Sequence, residues 1–132
     1  MFWNKIINKF KVKVRKRYYD SGALWWETPY EKGERQGIVK DYYESGVLRE
    51  EAPFVNGKKH GIEKRYYPSS VLRQESQYEN GKMHGIVKHY YESGALWLEI
   101  PYKNGKKDGI VKEYYVTGDL RRKILYVDGW ME

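Results

Sequence analysis

The side chains able to do chemistry in this chain are few and regularly spaced. His60, His84 and His89 are the only histidines, and cysteine is absent. Disulfides, thiolate zinc sites and cysteine nucleophiles are therefore excluded. His60 and His84 stand 24 residues apart, at a phase where Gln36 and Asp108 stand in the neighbouring copies. A ligand that gives way to glutamine does no metal chemistry, so these histidines read as structural or solvated. Glu27, Glu51, Glu75 and Glu99 form a ladder of carboxylates at the same step, and Lys40, Lys64, Lys88 and Lys112 a ladder of amines. An acid/base pair needs its two members in unlike environments, whereas identical carboxylates repeated at one phase suit salt bridges to the lysines. The Asn-Gly-Lys loops lack the length and the Ser/Thr of a phosphate-cradling loop, and no Ser–His–Asp arrangement is visible. The chain is expected to be no enzyme and to use no cofactor, metal or small-molecule substrate.

The spacing itself is the stronger signal. Tyrosine pairs at 18–19, 42–43, 66–67, 90–91 and 114–115 recur every 24 residues, as do Leu24, Leu48, Leu72, Leu96 and Leu120. Gly33, Gly57, Gly81, Gly105 and Gly129 keep the same step, and so do Gly22, Gly46, Gly94 and Gly118, with Ser70 filling the gap. The unit reads YYxSGxLxxExPYxNGKxxGIVKx, and a fixed period of this length marks a repeat architecture. Units start at residues 18, 42, 66, 90 and 114, and residues 12–17 look like the tail of an earlier one. The whole of 1–132 is thus expected to be one repeat domain, with residues 1–17 as an N-terminal cap and partial unit.

Each unit holds two short segments rich in β-branched and aromatic residues between turn signals, the pattern of a β-hairpin. Glu44-Ser45-Gly46 and its copies suit a type I turn closing through a left-handed glycine. Asn56-Gly57-Lys58-Lys59-His60-Gly61 reads as a longer loop with two glycines free to take positive φ. Strands are expected near 12–19, 23–29, 38–43, 47–53, 62–67, 71–77, 86–91, 95–101, 110–115 and 119–126. The expected architecture is all-β: five hairpins in series forming an elongated, twisted antiparallel sheet, each needing its neighbours. The three-residue turn predicts a register in which Tyr42 faces Leu48 and Asp41 faces Arg49. It also pairs Arg17 with Trp25, Arg65 with Arg73, His89 with Trp97, and Glu113 with Arg121.

The 25 Lys+Arg against 18 Asp+Glu give a net charge of +7, and 14 Tyr, 5 Trp and 3 Phe supply the apolar bulk. No apolar run approaches the ~20 residues of a membrane-spanning helix. With no secretory h-region at the N-terminus, the expected compartment is the cytoplasm. Phe2, Trp3, Ile6, Ile7 and Phe10 share the i, i+4 spacing of one helix face, which predicts a short capping helix over residues 2–11. The alternative is a basic amphipathic segment touching a membrane surface. Residues 9–17 alternate cations with Phe10, Val12 and Val14, which favours a strand with one cationic face.

Tandem YYxxG, LxxE and NGKxxG elements over residues 18–129 resemble the MORN-repeat family, and more closely the variant repeat of bacterial YwqK-type antitoxins. Ser70, Lys123 and the run Glu31-Lys32-Gly33-Glu34 depart from the pattern. The resemblance implies the repeated hairpin and an antitoxin or immunity protein that binds a toxin; other members of the family act as scaffolds or bind acidic lipids.

Positions identical in every unit are explained by folding, so a partner surface is sought where they vary. The column Trp25, Arg49, Arg73, Trp97 and Arg121 holds the two residue types most enriched at binding hot spots. Beside it run Trp26, Glu50, Gln74, Leu98 and Arg122. The competing reading is that Trp25 and Trp97 simply pack on Arg17 and His89. The expected partner is a protein, such as an acidic toxin domain, with an anionic membrane surface as the alternative. Acidic residues in every unit disfavour nucleic acid.

Overall fold

The structure, a computed structural model, describes residues 11–132. The helix expected over residues 2–11 lies, but for Lys11, outside the described residues. Each unit contributes strands of six, eight and two residues: β1 (Lys13–Tyr18), β2 (Leu24–Glu31) and β3 (Glu34–Arg35); β4 (Gly37–Tyr42), β5 (Leu48–Val55) and β6 (Lys58–Lys59). The pattern continues with β7 (Gly61–Tyr66), β8 (Leu72–Glu79), β9 (Lys82–Met83), β10 (Gly85–Tyr90), β11 (Leu96–Lys103) and β12 (Lys106–Lys107). It ends with β13 (Gly109–Tyr114), β14 (Leu120–Val127) and β15 (Trp130–Met131). The long strands lie side by side in chain order in one sheet, all antiparallel, as the repeat pattern predicts.

The first turn forms as expected. Gly46 N–H donates to the Tyr43 carbonyl at 2.8 Å and Tyr43 N–H to the Val47 carbonyl at 2.8 Å, with Gly46 at φ 90°. In the third unit Ser70 takes that left-handed place at φ 73°. The second connection differs from the expected long loop. Asn56 and Gly57 both have positive φ (49° and 80°) and close a two-residue hairpin between β5 and β6. That is the type I′ turn an Asn-Gly pair favours. Gly61, at φ 115°, then swings the chain into β7; a Cβ there would come within 2.9 Å of Pro53 Cγ.

The expected register holds at Tyr42↔Leu48 and then breaks. Between Asp41 and Tyr42 the pairing slips, so Asp41 lies opposite Glu50, and the same bulge sets Arg17 opposite Trp26, Arg65 opposite Gln74, His89 opposite Leu98 and Glu113 opposite Arg122. Arg49 and its counterparts are the extra residues of the bulge, where two residues of one strand oppose one of the other.

Pairing is uneven along the sheet. Within a hairpin β4 and β5 match six residue pairs, while between units β5 and β7 match only Glu50↔Arg65 and Glu51↔Lys64. One face carries the row Lys16, Glu27, Lys40, Glu51, Lys64, Glu75, Lys88, Glu99, Lys112 and Lys123 as successive cross-strand partners. Among the described residues only Lys16–Glu27, at 3.8 Å, closes to ion-pair distance along it; Tyr42 and Tyr66 donate to Glu27 and Glu51 at 3.1 and 3.2 Å instead. The opposite face holds the buried row: Thr28, Ala52, Glu63, Ser76, Val87, Ile100 and Val111. The repeated leucines lie on the charged face, half-buried at Leu72 and exposed at Leu120, so they are not the core their regularity suggests.

Candidate partner-binding face

Side chains on the buried face are positioned by a tyrosine ladder. Tyr19 Oη donates to the Tyr42 carbonyl (2.7 Å), Tyr43 to Tyr66 (2.8 Å), Tyr67 to Tyr90 (2.6 Å) and Tyr91 to Tyr114 (2.7 Å). Each bond crosses from one unit to the next where strand pairing has run out. The second tyrosine of each of the first four pairs is therefore a rung between units.

The sequence-selected column rests on these rungs. Trp25 stacks on Tyr19 at 5.8 Å and Trp97 on Tyr91 at 5.7 Å. Arg49, Arg73 and Arg121 lie over Tyr43, Tyr67 and Tyr115 at 5.8, 5.6 and 5.6 Å. Indole and guanidinium are the two groups best suited to cover a phenol ring, which gives the alternation an internal cause. The bulge turns these residues to the face of the row beside them: Arg49 bonds Asp41, Trp97 Nε1 donates to Glu113 at 3.4 Å, and Arg121 pairs with Glu113 at 3.2 Å. Trp97 also meets His89 edge-on at 6.2 Å, as its sequence position suggests. Arg17 lies over Trp26 rather than Trp25. Arg73 has no carboxylate partner among the described residues, while Trp25 and Trp97 stay 36% and 37% exposed.

Two features of this face escape a reading based on the regular positions. Glu63, 1% exposed, stands where Val39, Val87 and Val111 stand in other units. Lys59 pairs with it, Arg65 Nε reaches it at 3.1 Å, and both cations also hold Glu50, at 3.6 and 3.2 Å. The signal was a carboxylate in a phase that is valine in three other units. The second feature is the role of the Gln/His/His/Asp phase. Gln36 Oε1, His60 Nδ1 and Asp108 Oδ1 accept the backbone N–H of Asn56, Asn80 and Asp128, at 2.8, 3.3 and 3.4 Å. Any side-chain acceptor of that reach pins the next turn, so glutamine, histidine and aspartate interchange.

Electrostatics follow the packing. Burial opposes ionisation of Glu113, yet hydrogen bonds from Arg122 and Trp97 hold its carboxyl below the usual range. Burial, then the charges of Arg73 and Arg65, push the His89 imidazole down from its ordinary value. Among the described residues no cluster of three His, Asp or Glu is arranged to hold a metal ion.

Among the described residues the chain is a single sheet of tandem hairpins with rows of fixed side chains across each face, the architecture of a repeat protein. The chain belongs to the MORN repeat variant family, whose pattern matches residues 35–56, 59–80, 83–104 and 107–128. No curated protein matches it. Repeats of this family are in general protein- or membrane-binding modules rather than catalysts.

Proposed function

We propose that this chain is a non-enzymatic antitoxin or immunity-type protein of the cytoplasm that binds and neutralises a cognate toxin. Its contact surface is the column Trp25, Arg49, Arg73, Trp97 and Arg121. The observation that carries the reading is the state of these side chains: each lies against the second tyrosine of its unit, yet the two indoles keep over a third of their surface exposed. Side chains ordered before binding lose little entropy on contact, which is what makes aromatic and arginine anchors effective. With about 10 Å of sheet per unit, the column presents anchors at regular intervals along one side.

The test is co-expression with the product of the neighbouring gene. The reading predicts that the chain restores growth and co-purifies with that product. Arg73→Glu should abolish both with at most a small fall in the melting temperature, because Arg73 makes no internal ion pair and only its contact with Tyr67 is lost. Arg49 is a poorer probe, since its removal strips Asp41 of its partner. Unrestored growth, or an Arg73→Glu protein that binds like the parent, overturns the assignment. A second reading, docking on anionic lipid, is supported by β1, whose Lys13, Arg15, Lys16 and Arg17 are all exposed. Flotation with phosphatidylserine vesicles that vanishes at high salt would favour it.

A further inference from the structure

We propose that the N-terminal end of the buried face is a second contact site, a groove in which Arg15, Arg17 and Arg35 grip the carboxylates of an acidic polypeptide segment. The proposal rests on the protein-binding reading and specifies the chemistry of the partner.

The groove has a volume of 680 Å³, within the range of ligand sites, and its walls include Arg15, Arg17, Arg35, Trp26, Tyr30 and Asp41. Arg15 occupies the phase that Val39, Val87 and Val111 fill elsewhere, so the buried row begins with a cation at the sheet edge. Each arginine lies on an aromatic ring: Arg15 over Tyr30 at 4.7 Å, Arg17 over Trp26 at 5.4 Å and Arg35 over Phe54 at 5.2 Å. A guanidinium laid on a ring keeps its N–H edge free and in a fixed orientation, the arrangement that binds carboxylates bidentately.

Further along the same face most cations are held by carboxylates; Arg73 and Lys107 lie singly on Tyr67 and Tyr126 and do not converge with others. Arg49 is held by Asp41, Lys59 and Arg65 by Glu50 and Glu63, and Arg121 and Arg122 by Glu113. Arg15, Arg17 and Arg35 have no carboxylate within ion-pair distance among the described residues. Three arginines without carboxylates, converging on one groove, leave a positive site that an acidic chain complements.

Two observations select a polypeptide over a nucleic acid. A guanidinium group covers one face each of Trp26, Tyr30 and Phe54, which leaves bases less ring to stack on. Asp41 and Glu50 also line the groove, and their charges repel a continuous row of phosphates. A polypeptide spaces its carboxylates and places N–H and hydroxyl donors between them, which suits a groove lined by both arginines and carboxylates.

The experiment uses the full chain and a fluorescent peptide of alternating glutamate and serine, read by anisotropy at low and physiological salt. Arg15→Gln with Arg35→Gln should weaken binding roughly tenfold or more, since charged hydrogen bonds of this kind are each worth about that factor. Lys58→Gln with Lys106→Gln removes the same charge away from the groove and should leave affinity unchanged. Circular dichroism of each variant confirms that the sheet is retained. Equal losses in the two double variants would reduce the effect to net charge and overturn the site. So would tighter binding of oligodeoxythymidylate, or of phosphatidylserine vesicles, than of the peptide. If a toxin is neutralised through Arg73 while the groove variant remains fully active, this inference falls and the protein-binding reading stands.

Discussion

Val87, Ile100 and Val111 fill the same row of the sheet that Glu63 and Ser76 fill one unit earlier, and all five are buried. The apolar stretch is covered by Met83, Leu98, Tyr102 and Tyr126 reaching over from adjacent rows. The polar stretch is covered by Lys59 and Arg65, whose charges meet Glu63 and Glu50, and by Gln74, which donates to Ser76 at 2.7 Å. Among the described residues no second layer closes the core, so long side chains on the same face do it. Snorkelling cations can do this as well as leucine and tyrosine, provided a carboxylate waits beneath them. The row demands coverage, and each unit supplies it in its own chemistry.

Removing the cover tests this most severely. Lys59→Met with Arg65→Met leaves Glu63 buried without a partner, and breaking a buried pair in this way costs about 3–5 kcal/mol. A thermal melt by circular dichroism should fall steeply. Glu63→Val restores the residue that three other units carry, and should be neutral or stabilising because Glu50 still holds both cations. A large loss on Glu63→Val would show that the network, not coverage, holds the unit together.

In the apolar stretch, Ile100→Ala should cost about 2 kcal/mol, the low end for buried aliphatic truncation, because the open face lets neighbours relax. Leu72→Ala, on the half-buried charged face, should cost about half of that. Chemical denaturation of the two variants side by side checks the order, and a costlier Leu72→Ala would move the core to the other face.

The hairpins and their order were legible because turn residues and β-branched segments recur at one period. The register was legible only as far as Tyr42 opposite Leu48. A bulge adds one residue without any glycine or proline to mark it, and Arg49 carries no local sign of that role. The type I′ turn was written plainly in Asn56-Gly57, but the second glycine, Gly61, made the segment read as a loop. The column was legible as positions, not as causes. That Trp and Arg alternate to cover tyrosine rungs follows from contacts between strands, which a linear pattern does not display. Glu63 was visible as a departure at one phase, yet only packing shows that this phase is buried and that Lys59 and Arg65 reach it.

The smallest expected effect lies where the two stretches meet. His89 stands between the Arg65 side of the polar stretch and Trp97, opposite Gln74 and Leu98. Burial first, then the positive charges of Arg73 and Arg65, lower its affinity for a proton in the folded state. The unfolded chain titrates it near the ordinary value of about 6.5. At neutral pH both states hold it uncharged and it contributes nothing. As pH falls through about 6.5 the unfolded chain takes up the proton first, so stability declines until the folded state is protonated too. His89→Gln should remove the decline that sets in below about pH 6.5, with only a small change at neutral pH from the lost contact with Trp97. Arg73→Ala removes one of the two named charges and should raise the His89 titration midpoint, read from its imidazole resonances. An unmoved midpoint would mean that Arg73 points away from the histidine, and with it away from the place on the face where the proposed contact needs it.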